Sequence, residues 1–396
     1  MKYMNPVVIL GLFQTSINAA RILHKRGIQV IGYDYDKTQP GFHSRLIEAC
    51  HCPDPLFQTE QLFLFLQDRL SRLKHKPVLI PSSDEYVFFL NRYRQEFSER
   101  AHFLLPPEKS VGILLDRKLQ FEAAAKAGLK VPEYIEVSSR EEMEASADQI
   151  EYPVFIKSRK SYQWRKYFND KGFQANCPDE LKKAVQMLMN RKIDFLIQKI
   201  IPGNTTNNIE INLLRLNGGN KLFHTVRKIR QYPVDFGTAT SVHTEEIQEL
   251  EEKVFRFVDQ TRLTGFSNTE FKFDRRKQDF FFVETNPRIW LQVDLCEYLD
   301  DNLLMIAYQS LTGFPFQAKP RKRRKVYWID VPGDLVSLIR QKNTRAGDYF
   351  LWIQNVIQAK SHGTFYWRDP LPFFRFMGSV LCRKLFRSGK KQYPSL

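Results

Sequence analysis

Apolar and polar positions change period several times along the chain, and each change marks an element. Pro6 to Leu12 (PVVILGL) is an unbroken apolar run, the pattern of a strand buried on both faces. A polar break at Gln14 to Asn18 follows, then a helix from about Ile17 to Lys25, stopped by Gly27. Ile28 to Tyr33 reads as a second strand and ends in Asp34-Tyr35-Asp36. Strand, helix, strand at this spacing opens a doubly wound parallel sheet. Lys76 to Ile80 adds another strand, ending in Pro81-Ser82-Ser83-Asp84-Glu85 ahead of a helix from about Glu85 to Tyr93. Polar residues there either face a ligand or cap the helix, and Ser82, Ser83 and Asp84 fit both roles.

Leu105-Pro106-Pro107 marks a boundary. Beyond it Lys109 to Leu129 reads as one helix containing Asp116-Arg117-Lys118, stopped by Gly128. Tyr152 to Lys157 is an apolar strand with a single lysine, a residue type that is solvated on a strand unless something holds it. Ser158 to Asp170 is polar, aromatic and free of glycine, so it lacks the pattern of a phosphate-cradling loop; Lys171 and Gly172 follow. Asp179 to Asn190 is a helix with Asp179 as N-cap, and Phe195 to Ile201 is a strand ended by Pro202-Gly203. Ile209–Leu216 and Lys221–Arg227 flank Asn217-Gly218-Gly219-Asn220, a hairpin signal. The basic run Arg227 to Pro233 suits a solvated face or a phosphate site. Thr244 to Arg262 and Leu299 to Leu311 read as helices.

The segment Gly265 to Arg288 carries the densest candidate chemistry. Thr269 to Asp274 alternates as a strand, Arg275 to Gln278 turn, and Asp279 to Glu284 run back with three consecutive Phe. Side-chain alternation puts Glu284 and Asn286 on one face, and a register pairing 270 with 284 would add Glu270. The carboxylates are either solvated on a surface hairpin or gathered as hard oxygen ligands of a magnesium–nucleotide site. Glu284 follows an apolar run, where an unpaired carboxylate would be costly to bury and a metal would remove that cost.

Composition narrows the class. The 396 residues are 43% apolar and 26% charged, ordinary for a folded protein of two or three domains. No apolar run reaches the roughly 20 residues of a bilayer span. The start, MKYMNPVVILGLF, serves as a first strand better than as a signal peptide. Five scattered cysteines fit a reducing compartment, and Cys50-His51-Cys52 is too tight for zinc. The net charge of +16 is concentrated beyond residue 320, where sixteen Lys and Arg face four Asp and Glu. Nucleic acid is not the expected partner, because a binder of that kind would spread its charge over one working surface. The basic tail holds RKRRK (321–325) and a helical stretch, Leu371 to Arg387, with Phe373, Phe376, Met377, Val380 and Leu381 on one stripe beside Arg383, Lys384 and Arg387. That helix either docks on the protein or lies on an anionic membrane.

The order Asp116-x-Lys118, PVFIK ending at Lys157, LIQKIIPG (196–203), RKIRQYP, EFKFD and VETNPR resembles the ATP-grasp superfamily. More narrowly it is similar to the ATP-grasp carboxylate–amine ligases that include D-aspartate ligase. IPSSDE (80–85), YWID (327–330) and RDPLP (368–372) extend the resemblance over nearly the whole chain. It implies a mixed α/β protein: a doubly wound pre-ATP-grasp domain over 1–108, an ATP-grasp fold over 109–318 with a lid at about 130–203, and a basic extension over 319–396. It implies amide formation through an acyl phosphate, with small-molecule carboxylate and amine substrates and cytoplasmic location, at the membrane's inner face if the tail helix lies there. By resemblance Glu270, Glu284 and Asn286 hold Mg²⁺ (or Mn²⁺), while Lys118 and Lys157 bind ATP phosphates and Lys171 takes part of the glycine loop's role. Gln198, Lys199 and Ile201 meet adenine, and Arg230 and Arg288 hold the transferred phosphate or the substrate carboxylate. Lys199 departs from the acidic residue common at its position, and the loop 158–170 and the run VDFGTATS are poorer in glycine than in relatives. The rival classes are a non-catalytic nucleotide-binding protein and a membrane or nucleic-acid binder driven by the tail.

Overall fold

The computed structural model describes residues 3–137, 139–168, 170–318, 324–341 and 344–385. Three sheets organise it. The first has four parallel strands in the order Glu48–His51, Val30–Asp34, Val7–Leu10, Val78–Pro81. Every residue of Val7–Leu10 is sealed from solvent, as the unbroken apolar run requires. The helix after it spans Gln14–His24, so the polar stretch expected to break the chain is its first turn. Those polar groups are used internally: Asn18 Nδ2 donates to the Leu291 carbonyl at 2.8 Å and Ser16 Oγ to the Phe13 carbonyl at 2.6 Å.

The single helix expected over 109–129 is two, Glu108–Leu114 and Arg117–Lys126. Asp116 breaks it by capping the second, its Oδ1 accepting from the N–H groups of Lys118 at 3.0 Å and Leu119 at 3.4 Å. The second sheet is antiparallel, in the order Tyr134–Ile135, Phe195–Lys199, Val154–Ser158, Phe173–Ala175. The helix Pro178–Asn190 packs Leu181, Val185 and Leu188 into the core behind this sheet. Cys177, not Asp179, is its cap residue, and Pro178 occupies the first turn. The glycine-free loop folds in part as the short helix Ser161–Trp164, anchored by Trp164 against Phe168 and Phe173.

The third sheet has seven strands in the order Asp279–Asn286, Gly265–Asp274, Asn208–Arg215, Lys221–Tyr232, Thr238–Glu245, Tyr327–Ile329, Ala359–Ser361. Both expected hairpins form. Thr238–Glu245 is a strand where a helix was expected from Thr244; Thr244 and Glu245 pair with Val226 and Thr225, and the helix begins at Gln248. The later helix is Leu303–Thr312, started by Asn302, whose side chain accepts from the Met305 N–H, and ended by Gly313 in the left-handed region. The extension adds the last two strands to this sheet and buries Asp330, Asp334 and Asp369. Asp369 accepts from Ser44 Oγ at 2.6 Å, tying it to the first sheet's loops. The helix Leu371–Leu385 packs its start against the turn Pro40–His43, with Phe373 half-buried and edge-on to Phe365. It is therefore docked through Pro372 and Phe373, while Leu371 and Phe374 are exposed; the side chains of Val380, Leu381, Arg383 and Lys384, all of Arg387, and residues 321–323 of RKRRK lie outside the described ones.

Candidate active site

The hairpin register pairs Glu270 with Glu284 and Asn268 with Asn286. A bulge follows between Glu270 and Phe271. Glu284 accepts from the Arg117 guanidinium at 2.8 Å and has the Lys157 ammonium 3.8 Å away, both on Oε2. Burial pushes its carboxyl up, but Lys157, Arg117 and Lys171 outweigh burial and hold it well below the usual range. Glu270 stands beside Lys228, Nζ to Oε2 2.9 Å; burial pushes it up, and Lys228 and Lys171 bring it below its ordinary value. Both carboxylates are thus ionised, and the described contacts fall on Oε2 of each. Two ionised carboxylates with the Asn286 amide oxygen on the same strand face form a hard donor set that suits a magnesium ion.

Lys228 is the buried centre of a second layer. Its Nζ lies 3.1 Å from Glu210 Oε1 as well as 2.9 Å from Glu270 Oε2. Burial lowers such an amine, but here Glu270 and Glu210 hold it above its ordinary range. Burial conversely raises Glu210 despite Lys228. Glu210 and Glu270 are cross-strand partners, which is why one lysine reaches both. Asn268 completes the layer, donating to Asn212 Oδ1 at 2.7 Å and Glu210 Oε2 at 3.2 Å.

Two cavities meet at these carboxylates. One runs between the second and third sheets past Gln198, Ile200, Ile201, Phe236 and Lys272. The other faces the first sheet past Tyr35, Asp36, Asp84, Arg165, Arg288 and Gln292. Lys157, Lys171, Glu270 and Glu284 line both. Lys157 is buried, and burial, only partly countered by Glu284, pushes its amine down to about 8. Gln198 is buried with its Oε1 unpartnered among the described residues, a polar atom that a ligand in the first cavity could satisfy.

Asp84 is not a helix cap. The helix Asp84–Arg92 has Ser83 as cap residue without a side-chain bond, and Ser82 Oγ donates to the Gly11 carbonyl. The Asp84 carboxylate instead accepts from Arg288 Nε at 2.9 Å and from Ser161 Oγ. Beside it Arg165 pairs with Glu85 at 3.2 Å. In the same cavity Trp290 Nε1 and Gln292 Oε1 are buried without partners among the described residues.

Of the residues singled out in the sequence, Glu270, Glu284, Asn286, Arg288, Lys157 and Lys171 come together, with Gln198 and Ile201 in the adjoining cavity. Three do not join them. Lys118 turns outward to Glu136 at 2.7 Å, and its neighbour Arg117 reaches Glu284 instead, because the Asp116 cap fixes the rotation of the helix. The Lys199 ammonium pairs with Glu151 at 2.5 Å outside the cavity, so only its backbone could serve there. Arg230 follows register shifts at Lys228/Arg230 and Arg230/Gln231, which break the alternation. Lys228 and Gln231 line the first cavity, while Arg230 pairs with fully buried Asp334 at 2.7 Å. Arg117 and Glu210 were given no role from the sequence, and Lys228 was read only as part of the basic run Arg227 to Pro233. The alternation Asn208-Ile209-Glu210-Ile211-Asn212 was the available signal for Glu210, a polar face within a buried strand.

Residues 116–299 match the family described as carbamoyl-phosphate synthase L chain, ATP binding domain. Over 281 residues the chain is 24% identical to D-aspartate ligase from Enterococcus faecium, a match covering 65% of this chain and 64% of that enzyme. The chain thus spans a little under two thirds of that relative's length. Its fold is similar to N5-carboxyaminoimidazole synthetase from Staphylococcus aureus in complex with ADP, with TM-score 0.63 and 15% identity over 87% of this chain and 86% of that one. It is also similar to L-amino acid ligase from Bacillus licheniformis, with TM-score 0.60 and 15% identity over 83% and 80%. The chain thus matches an ATP-binding domain family over the segment that carries the carboxylates, and it shares its fold with these ligases.

Proposed function

We propose that the chain is an ATP-dependent carboxylate–amine ligase. A substrate carboxylate takes the γ-phosphoryl group of ATP, and an amine then displaces phosphate to leave an amide, ADP and phosphate. The observation that carries this reading is the meeting of two cavities at Lys157, Lys171, Glu270 and Glu284. A nucleotide in the first would present its phosphates to a carboxylate held in the second. Two relatives are by name amino-acid ligases, which supports an amino acid as one substrate.

Each residue then has a role. Gln198 and the backbone through Ile201 face adenine, and Lys157, Lys171 and Arg117 neutralise phosphate oxygens. Arg288, aimed by Asp84, holds the substrate carboxylate, with Trp290 and Gln292 offering a donor and an acceptor nearby. Glu270, Glu284 and Asn286 would hold one or two Mg²⁺ (or Mn²⁺), which when bound neutralise charge on the transferring phosphoryl group. Residues 1–108 form the substrate-side wall, 130–203 the lid over the nucleotide, 204–318 the metal-bearing part and 319–396 an extension. The reaction belongs in the cytoplasm, where ATP is available and free thiols such as Cys52 and Cys296 stay reduced.

The test is thermal stability with and without ATP–Mg²⁺ on the wild type and on Glu284→Gln. Nucleotide at about 100 times its Kd should add roughly 2.7 kcal/mol to the wild type. The variant should lose most of that shift, and its ADP release with amino-acid pairs should fall by roughly 100-fold or more. A wild type that gains no stability from ATP–Mg²⁺ would overturn the reading.

A further inference from the structure

The basic extension has a surface that the ligase reading leaves unused. The helix Ala346–Gln358 carries Asp348 as its single charged residue, and that side chain is turned to the helix start, accepting from the Arg345 N–H at 2.7 Å. At about 100° per residue, Tyr349, Ile353, Ile357 and Phe350 fall within roughly 100° of one another, Leu351 lies beyond them, and Trp352 and Val356 occupy the adjoining sector. Those last two are half-buried; the other five are exposed, Phe350 by 63% and Ile357 by 77%. No other helix among the described residues exposes as many large apolar side chains. Trp367, 84% exposed, and Phe374 add aromatic surface on the same extension.

Charge decides what fits this surface. Arg345 just before this helix and Lys360 just beyond it are exposed, as are Arg368 and Arg375 elsewhere on the extension. Of the extension's four carboxylates, Asp330, Asp334 and Asp369 are buried in internal hydrogen bonds, and Asp348 caps its helix. The face is therefore apolar, with a cation at each end of the helix and almost no exposed anion. A second copy would bring like charges together at such ends. A lipid surface with anionic head groups offers the complement to both parts, with apolar acyl chains behind negative charge. Exposed Tyr and Trp suit the boundary between them.

We propose that this chain docks on anionic membranes through the helix Ala346–Gln358, with the cations at its ends contacting lipid head groups. The seat is a different element from the tail helix at 371–385, which is docked at its start. The helix leads into Ala359–Ser361 at one edge of the seven-stranded sheet, the edge opposite the hairpin that carries Glu270 and Glu284. The proposal stands independently of the ligase reading.

The test is flotation of the full chain with vesicles of phosphatidylcholine alone and with about one third phosphatidylglycerol. Binding to the anionic vesicles alone, weakened by salt, is expected for the wild type. Ile353→Glu/Ile357→Glu should reduce that binding by roughly tenfold or more, since it sets charge in the inserted face. Both side chains are exposed, so the variant should keep the wild-type melting temperature, which is measured alongside. Failure of the wild type to bind anionic vesicles, or equal binding by a folded variant, overturns the proposal. So does a wild-type dimer, broken by the same variant, that floats with neither vesicle; the face would then be a contact between copies.

Discussion

Arg288 donates from Nε to Asp84 Oδ1 across 2.9 Å, joining the end of the carboxylate hairpin to the carboxyl end of the first parallel sheet. The same guanidinium reaches toward Asn286 Oδ1 at 3.5 Å. Asp84 thus fixes the plane of the arginine proposed to hold the substrate carboxylate. Asp84→Asn removes the charge that aims Arg288 and weakens a charge-assisted hydrogen bond worth about 1.5–3 kcal/mol. The expected result is a fall of roughly ten- to 100-fold in kcat/KM for the carboxylate substrate, with the ATP–Mg²⁺ thermal shift unchanged. Steady-state ADP release at varied carboxylate concentration checks it.

Lys157 sets a pH dependence. Its buried amine is pushed down to about 8, below the ordinary lysine value, and nucleotide phosphates beside it would raise it again. The sign follows: below pH 8 the amine is charged with or without nucleotide, and affinity is flat. Above pH 8 the free protein loses the proton first, so binding must take one up and ATP affinity falls as pH rises. Calorimetric titration near pH 9 in two buffers of different ionisation enthalpy should show net proton uptake, and Lys157→Met should abolish it.

Lys228 is the sole cation bonded to buried Glu210 among the described residues, and it also holds Glu270. Lys228→Met leaves two carboxylates buried side by side, a change expected to cost about 3–5 kcal/mol. Without the ammonium both carboxylates titrate above their unfolded-chain values, so protonation relieves the strain. Urea unfolding should therefore show a deficit that shrinks as pH falls from about 8 to about 5.

Arg230 separates a structural from a catalytic role. It is bonded to Asp334, which is fully buried and also accepts from Thr240 Oγ1 at 2.6 Å and Ser241 Oγ at 2.8 Å. Arg230→Ala should lower stability by about 3 kcal/mol by stranding a buried charge, while leaving the Kd for ATP–Mg²⁺ at the wild-type value. Unfolding and nucleotide titrations on one preparation read both quantities.

Strand and helix identities were largely legible because burial follows local period. The apolar run at Val7–Leu10, the Asn-Gly-Gly-Asn hairpin and the strand–turn–strand over Gly265–Asn286 could be read from the sequence, whereas the 270/284 pairing depends on a bulge. Elements were misread where polar groups are consumed inside the fold. Asn18 and Ser16 looked like a break because their partners, Leu291 among them, are unknowable from the local sequence.

The sequence by itself determined that Glu284 and Asn286 share one face of an alternating strand; the bulge between Glu270 and Phe271, which sets Glu270 opposite Glu284, was decided only by the tertiary structure. The tertiary structure alone also decided which cations meet these carboxylates. Whether Arg117 or Lys118 points inward depends on the rotation that the Asp116 cap gives a helix. Whether Arg230 or Gln231 faces the cavity depends on shifts of pairing between two strands. Lys228 finds Glu210 and Glu270 through contacts across three strands. Period is a property of the local chain, whereas rotation, bulge and cross-strand partner are set by what packs against it.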